Sequence, residues 1–310
     1  MFKGVRFCLL VLLVAAALGW LWLFYFQREP VRRILFLGHP YNWRTENTLD
    51  PRLEQLPLAS YDGIWLGGDV CARTSKSPAT LAYLDSIFNL AAPGTHWAIG
   101  NHDLMEGDLD RITQRTQRPD YYLHWTEGLA IVVLNTNLFW LHKWPGPQEN
   151  CERKQKQMAF LHQVLDTISS ATRHLVILHH HGLLNEMKVN ARGDTLRLDN
   201  ISAMRVQTTC DPKSSFTAEV YPKLVAIQRA GTQVILLAGD VGMNSKGYHF
   251  TTPEGIHLLG SGINNSLDTN YLPDYVTNLN PDTVLFFYHY PQSGRLEWDF
   301  VPLDSLVNDK

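Results

Sequence analysis

Four short apolar runs each end in residues that bind metals or phosphates, and this repetition constrains the fold more than any other feature of the chain. The four ends read Gly67-Gly68-Asp69, Gly100-Asn101-His102-Asp103, His179-His180-His181 and Gly239-Asp240. In an open α/β sheet the carboxyl ends of the strands converge on one crevice, so side chains distant in sequence meet there around a common ligand. The sequence therefore predicts an α/β fold with a divalent-metal site at its strand ends.

The apolar pattern predicts strands that alternate with helices. Strands before Asp240 are predicted at 34–37, 63–66, 97–99, 129–134, 175–178 and 234–238. The clearest helix follows Cys151, where apolar residues recur at spacings of three and four. Four β-like runs after Asp240, at 247–251, 256–259, 284–290 and 295–301, are expected to make a second sheet. The polar segment 185–215 has no clear period and is expected to form a loop that could cover a crevice.

The N-terminus differs from the rest of the chain, because no charged residue lies between Arg6 and Arg28. An apolar segment of about 20 residues fits one bilayer crossing. A cleaved signal peptide is the competing interpretation, but the apolar run continues past the small residues at 15–17. We therefore predict a short tail at 1–6, an uncleaved signal anchor at 7–27 and one domain at 31–305.

The orientation of the anchor rests on a charge count that is close to a tie. Lys3 and Arg6 precede it, and Arg28, Arg32 and Arg33 follow it. Because the leading tail is so short, we expect a single-pass membrane protein whose catalytic domain is exported to the periplasmic or extracellular side. In such a compartment Cys151 and Cys210 could form a disulfide or stay as two free thiols. With a net charge of −3 and no Lys/Arg run, a nucleic-acid partner is not expected.

The residues at the strand ends suit hydrolysis of a phosphate ester. Two metal ions held roughly 3.5–4 Å apart can generate hydroxide and neutralise the charged phosphoryl group. Asp69, on its Gly-Gly turn, is the candidate carboxylate that bridges them. Asn101 offers an amide oxygen as a ligand, His102 can donate a proton to the leaving-group oxygen, and Asp103 can orient His102. In the triple His, one imidazole is expected to point inward as a ligand, and the others to fix it or face solvent.

With these motifs, nearly everything after the anchor resembles the calcineurin-like metallophosphoesterase superfamily. Its motifs are Asp-x-His, Gly-Asp, Gly-Asn-His-Asp/Glu, a strand-end His and Gly-His-x-His. The resemblance implies two facing mixed β-sheets flanked by helices, an α/β/β/α arrangement of four layers, here preceded by one transmembrane helix. It also implies that Asp69 bridges the metals, Asn101 and His179 bind the second metal, and His102 is the catalytic His. The segment from Met158 to Leu184 is most similar to the cyclic-nucleotide phosphodiesterase branch.

Two motifs depart from the family pattern. His39 and Tyr41 stand where the family has Asp and His, and Asp240 and Gly242 stand where it has its last two His residues. His39 and Asp240 are competent ligands, and the exchange of one Asp for His and one His for Asp roughly conserves ligand count and charge, which indicates a re-tuned site. Tyr41 is expected to be a core or rim aromatic, because a neutral phenol ligates poorly. The predicted metal ligands are His39, Asp69, Asn101, His179 and Asp240, for one or two ions of Mn, Fe, Zn or Mg.

Two classes of function follow from these residues. The leading hypothesis is a membrane-anchored, metal-dependent phosphoesterase that attacks a phosphate mono- or diester with metal-bound hydroxide and uses His102 as proton donor. Candidate substrate-binding residues are Asn42, Arg44 and His180, with Arg44 using its planar fork on a phosphate oxygen. The alternative is a catalytically weak or inactive domain of the same fold that acts in binding or structure; a hydrolysis-free binder of sugars or nucleotides ranks last. Retention of His102 argues against an inactive domain.

Overall fold

The computed structural model describes residues 29–42, 45, 47–139, 147–184, 188–189, 195–196, 208–211, 214–240, 247–263 and 281–308. The tail predicted at 1–6 and the anchor predicted at 7–27 lie outside these residues. Among the helices that are described, none has the length and apolar character needed to cross a bilayer.

The first sheet contains the first three predicted strands and the last two. Its strands are β1 (Arg32–Leu37), β2 (Gly63–Leu66), β3 (Thr95–Trp97), β12 (Thr283–Tyr290) and β13 (Arg295–Pro302). Their order is β13-β12-β1-β2-β3. The strands β1, β2 and β3 run parallel, so their carboxyl ends share one edge of the sheet, and β12 runs antiparallel to β1.

The second sheet has six strands in the order β10-β11-β9-β6-β5-β4. They are β4 (Tyr122–Thr126), β5 (Leu129–Val133), β6 (His174–His179), β9 (Gln233–Ala238), β10 (Gly247–Thr251) and β11 (His257–Ser261). The prediction that the strands after Asp240 make one second sheet is wrong, because β10 and β11 extend this sheet while β12 and β13 extend the first. In the predicted covering loop the described strands are β7 (Lys188–Val189) and β8 (Thr195–Leu196), which pair as a small hairpin.

The described helices cover the outer faces of the two sheets. They are α1 (Pro78–Phe88), α2 (Leu109–Thr116), α3 (Pro147–Thr167), α4 (Phe216–Glu219), α5 (Tyr221–Arg229) and α6 (Leu303–Asn308). The helix predicted after Cys151 is α3, which begins at Pro147.

Three hydrophobic clusters separate these layers, and β6 shows how the sequence builds them. Its residues alternate between faces because successive side chains of a strand point to opposite sides. Leu175 and Ile177 pack with α3 and α5, whereas Val176 and Leu178 pack against the first sheet. A third cluster lies between the first sheet and α1, α2 and α6. The predicted pair of mixed sheets with flanking helices is confirmed.

The two sheets touch backbone to backbone where β2 and β9 end. A Cβ atom placed on Gly239 would lie 1.7 Å from the carbonyl oxygen of Gly67 and 2.7 Å from its Cα. Only a residue without a side chain allows this approach. The glycines therefore bring the strand ends of both sheets into one site.

Buried His96 on β3 gives the fold a dependence on pH. Its side chain is 1% exposed and its Nδ1 lies 3.1 Å from the hydroxyl of Tyr122. Burial lowers the pKa of His96 to about 3, from 6.5 in the unfolded chain. Between these values the unfolded state binds a proton that the folded state does not. The contribution of neutral His96 is therefore fully present above pH 6.5 and is lost as the pH falls towards 3.

We expect the His96→Gln variant to show a weaker acid dependence than the wild type. The free energy of unfolding of the wild type should fall between pH 7.5 and pH 4.5 by about 2–3 kcal/mol through this residue alone. Urea unfolding of both proteins at the two pH values measures the difference. His162→Gln, on α3 at a partly exposed position, is the control. An equal acid dependence of the His96→Gln variant and the wild type would refute the assignment.

Candidate metal centre

Asp69 lies at the middle of the converged strand ends. Its side chain is 1% exposed and its backbone is left-handed, with φ at +52°. Such a conformation is strained in a residue with a side chain and persists where the surrounding structure holds it. One carboxylate oxygen, Oδ1, accepts the backbone N–H of His102 at 2.8 Å. The other, Oδ2, lies 3.4 Å from Nε2 of both His39 and His180. The structure thus gives Asp69 a position between two imidazoles.

Asp103 holds the turn that carries Asp69, and it does not contact His102 in the way the sequence predicted. Its buried carboxylate accepts five hydrogen bonds of 2.7–3.2 Å, from the backbone N–H groups of Asp69, Val70 and Gly100, the hydroxyl of Thr74 and the indole of Trp97. These bonds fix the two loops that follow β2 and β3. The prediction that Asp103 orients His102 is therefore corrected: Asp103 orients the backbone of Asp69.

His180, and not His179, points into the centre. His180 follows Val176 and Leu178 on the face of β6 that meets the first sheet, so it crosses to the glycine turn. Its Nδ1–H donates to the carbonyl of Gly67 at 2.7 Å. This bond assigns the tautomer and turns Nε2 towards Asp69 Oδ2 and towards Asn101 Oδ1, the latter at 3.3 Å. The residue predicted to bind substrate thus occupies the position expected of the strand-end ligand.

His179 lies on the opposite face of the strand, with Leu175 and Ile177, which pack against the helices. Its Nδ1–H donates to the carbonyl of His181 at 2.7 Å. Its Nε2 is buried and has no hydrogen-bond partner among the described residues. Burial lowers the pKa of His179 to about 3. The prediction that His179 is the ligand is corrected by this orientation.

His39 and Asp240, which depart from the common motif pattern, lie in direct contact. His39 Nε2 and Asp240 Oδ1 are 3.0 Å apart. His39 is buried, has a left-handed backbone with φ at +47°, and stacks on His180 with ring centroids 5.4 Å apart. Ligand atoms of His39, His180 and Asp240 all lie within 4.8 Å of one another. These three side chains come from both sheets, so the centre joins the two halves of the fold.

Asn101 and His102 complete the inner part of the site. Asn101 Oδ1 lies 3.1 Å from Nε2 of His181, whose Nδ1 is 3.0 Å from the hydroxyl of Thr136. The ring of His102 stacks on Tyr41 at 5.9 Å. Tyr41 is 1% exposed and lies between His102 and His39, which makes it a core aromatic of the site wall.

These contacts fit a bound cation. The sp² ring nitrogen of His180 and the oxygens of Asp69 and Asn101 carry lone pairs that face one another at 3.3–3.4 Å. Such atoms repel unless a proton or a metal ion lies between them. Without metal a proton takes that place: burial alone would lower the pKa of His180, but the Asp69 carboxylate raises it to about 9. Burial alone would raise the pKa of Asp69. Attraction to His180 and His39 outweighs this effect and holds the pKa of Asp69 below its usual range.

Comparison with known proteins identifies the family. The model of the calcineurin-like phosphoesterase family matches residues 32–286. This chain belongs to that family. Metal-dependent hydrolysis of phosphate esters and the use of divalent metals are properties of the family, and the centre described above lies inside the matched region. No curated protein sequence matches the chain.

Two of the solved structures that match the chain align with it at low sequence identity. One aligns at 10% identity over 87% of this chain and 99% of its own, with a TM-score of 0.42. Wild-type Vps29 complexed with Zn²⁺ from Entamoeba histolytica aligns at 10% identity over 87% of this chain and 99% of that chain, with a TM-score of 0.27. The assignment to the family rests on the match of the family model to residues 32–286.

The candidate metal centre contains one residue that the sequence did not single out and omits one that it did. Thr136 was not predicted. His181, which the sequence left either to fix the ligand or to face solvent, contacts Thr136 and holds Asn101 from the side of the second sheet. His180 lies two residues after Leu178, so the alternation of strand side chains could have placed it on the same face of β6 as Leu178. Among the predicted substrate-binding residues, Asn42 lies in the loop after β1, and its backbone N–H donates a hydrogen bond to the carbonyl of Thr48. Arg44 lies outside the described residues.

The donor set favours some of the expected metals over others. Imidazole nitrogens suit zinc and iron, and carboxylate and amide oxygens suit manganese and magnesium. With His39 and His180 among the candidate ligands, the centre fits zinc, iron or manganese better than magnesium. The Nδ1–H of His180 is fixed by a carbonyl, as is usual for an imidazole that binds metal through its other nitrogen.

Proposed function

We propose that this chain is a metal-dependent phosphoesterase held in a membrane by its N-terminal segment, with the centre of Asp69, Asn101, His180, His39 and Asp240 as its active site. The observation that supports this most is the position of Asp69 Oδ2, 3.4 Å from an imidazole nitrogen on either side. A carboxylate in that position suits a bridge between metal positions. When bound, a divalent ion would neutralise phosphate charge and lower the pKa of a water molecule.

The residues of the chain have separate tasks in this proposal. Asp69, Asn101, His180 and Asp240 would hold the ion, and His39, which contacts Asp69 and Asp240, would be a further ligand. His102 lies beside them, because its backbone N–H donates a hydrogen bond to the Asp69 carboxylate and its ring stacks on Tyr41. An imidazole in this position can donate a proton to the leaving-group oxygen. Asp103 keeps the loops in register through its five hydrogen bonds and does not touch substrate.

Export of the domain is supported by a disulfide. Cys151 on α3 is bonded to Cys210, 59 residues later in the chain. Of the two states that the sequence left open, the structure has the bonded one. Structural disulfides persist in oxidising compartments and are rare in the cytosol. We therefore propose a single-pass protein with its phosphoesterase domain on the periplasmic or extracellular side.

The direction in which the chain enters the domain bears on the substrate. At the start of β1, Arg32 lies opposite His289 of β12 in the sheet. Just before it, Glu29 accepts a hydrogen bond from the backbone N–H of Ser293, in the turn between β12 and β13. The centre lies past the other end of β1, roughly 20 Å away for a strand of this length. An anchor attached at Arg28 would place the centre on the far side of the domain. This arrangement favours a water-soluble phosphate ester over a lipid of the same bilayer.

Hydrolysis of aryl phosphates by the purified full-length protein tests this function. We expect turnover of a mono- or diester with added manganese, zinc or iron, and its loss with a chelator. His102→Asn should lower kcat by roughly 10²–10⁴-fold and leave metal content unchanged, since it removes a proton donor and no ligand. His162→Asn is the control.

The alternative function, binding without catalysis, makes a different prediction for the same assay. It is favoured by the loss of the usual Asp and His at His39 and Tyr41. If no metal supports turnover of either ester, and the wild type and His102→Asn behave alike, the inactive alternative replaces the enzyme.

A further inference from the structure

A second group of metal-binding side chains lies on the two strands at one edge of the second sheet. It consists of His249 and Thr251 on β10 and His257 on β11, and we call it the edge cluster. Thr251 is directly opposite His257 in the antiparallel register, and His249 is two residues before Thr251. Because strand side chains alternate between faces, all three project from the same face.

The polar atoms of the edge cluster form a nearly regular triangle. His249 Nε2 lies 3.4 Å from His257 Nδ1, and Thr251 Oγ1 lies 3.3 Å from the first and 3.2 Å from the second. Hydrogen bonds of these types are usually near 2.8–3.0 Å, so each side of the triangle is long for a direct bond. A tetrahedral zinc ion with bonds of ~2.0–2.1 Å holds its ligand atoms roughly 3.3–3.4 Å apart. The triangle has the dimensions of one face of such a site.

The surroundings of the edge cluster keep the imidazoles in place and leave them accessible. The ring of Trp298 on β13 packs against both, with centroids 4.8 Å from His257 and 5.6 Å from His249. His249 and Thr251 are exposed and His257 is half-buried, so an ion can enter from solvent.

The edge cluster is separate from the candidate metal centre. His257 begins β11, and the centre lies beyond the other end of that strand, where the carbonyl of Ser261 meets Gly38. Four residues of strand separate the two points, roughly 13 Å. The edge cluster therefore needs its own explanation.

We propose that the edge cluster binds one transition-metal ion, Zn²⁺, Ni²⁺ or Cu²⁺, through the two imidazoles and the threonine hydroxyl. Imidazole favours these ions, and the absence of a carboxylate from the edge cluster disfavours Mg²⁺ and Ca²⁺. Three protein ligands leave at least one coordination position open to water or to a ligand from solution. The site is independent of the proposed phosphoesterase activity.

Calorimetric titration of the chelator-treated, full-length protein with Zn²⁺ tests the site. The wild type should bind one more equivalent than the double variant His249→Asn/His257→Asn, and the double variant should hydrolyse aryl phosphate at the wild-type rate. His124→Asn is the matched control, since His124 lies on the opposite edge strand β4 and should bind as the wild type does. In an Asp69→Asn background the equivalent of Zn²⁺ bound at the edge cluster should remain. Zinc binding at the edge cluster can therefore be tested whether or not the active-site proposal holds.

Single substitutions test the edge cluster even if the double variant does not fold. His257→Asn alone should weaken zinc binding at the edge cluster by at least about tenfold without a change in Tm, and Thr251→Val should weaken it less. Cu²⁺ should quench the fluorescence of Trp298, and Trp298→Phe should remove the quenched fraction. Equal zinc stoichiometry in the wild type and the double variant, or equal loss in His124→Asn, would overturn the proposal.

Discussion

Replacing Asp69 with Asn is expected to lower kcat/KM for an aryl phosphate by at least ~10³-fold, about 4 kcal/mol of transition-state stabilisation. Asp69 has a carboxylate oxygen 3.4 Å from Nε2 of both His39 and His180, and an amide there presents one neutral oxygen in place of a shared anion. The variant should also lose bound metal, because the remaining ligands then lack their central negative charge.

The Asp69→Asn result is interpretable only against a control that changes the same type of residue. Asp166 on α3 is 67% exposed and pairs with Lys223. Asp166→Asn should keep both activity and metal. An Asp69→Asn protein that folds, retains its metal and turns over at the wild-type rate would remove Asp69 from the site.

Replacing Gly239 with Ala is expected to destabilise the domain by at least ~3 kcal/mol, or to prevent it from folding. The added methyl group would lie 1.7 Å from the carbonyl oxygen of Gly67. Neither atom belongs to a flexible side chain, so relief requires the ends of β2 and β9 to move apart. The same movement would separate His180 from Asp69, and activity should be lost with stability.

Gly231→Ala supplies the matched control for the Gly239 prediction. Gly231 has φ at +101°, and a Cβ atom there meets nothing within 4 Å among the described residues. That substitution carries backbone strain without a collision and should cost about 1 kcal/mol. Urea unfolding of the two variants compares them. Equal stabilities would mean that the sheets can separate at the glycines without loss.

The sequence was sufficient for the strands that carry the site. Their apolar runs are short, bounded by glycine and polar residues, and long-range pairing does not change their limits by more than two residues. Pairing partners were not available from these local signals. The strands after Asp240 look alike in sequence, yet β10 and β11 join β9 while β12 and β13 join β1. The strand β4 was not predicted at all, because its aromatic and polar residues are only half-buried.

The sequence predicted which loops carry the site. It assigned the wrong roles to two individual side chains, His179 and Asp103. His179 and His180 are neighbours, and only the face of β6 decides between them. Counting in twos from Val176 and Leu178 selects His180, provided that the inter-sheet face is known. Asp103 follows His102 directly, but its loop turns it back towards the turn of Asp69. That turn depends on tertiary hydrogen bonds, which no local pattern encodes.

The exchange at His39 and Asp240 has a structural counterpart. Relative to the family motif, an imidazole and a carboxylate have traded places, and in the structure the two residues are in contact at 3.0 Å. Charge in the pocket is therefore conserved by a pair that spans both sheets. This contact explains how two altered motifs remain compatible with a metal centre.

The metal content of two neighbouring histidine variants tests the central claim most directly. The claim is that Asp69, Asn101, His180 and Asp240 share an ion and that His179 does not bind it. Elemental analysis of the purified full-length His180→Asn protein should show the ion lost, and His179→Asn should retain the wild-type amount. Retention in His180→Asn together with loss in His179→Asn would contradict the account.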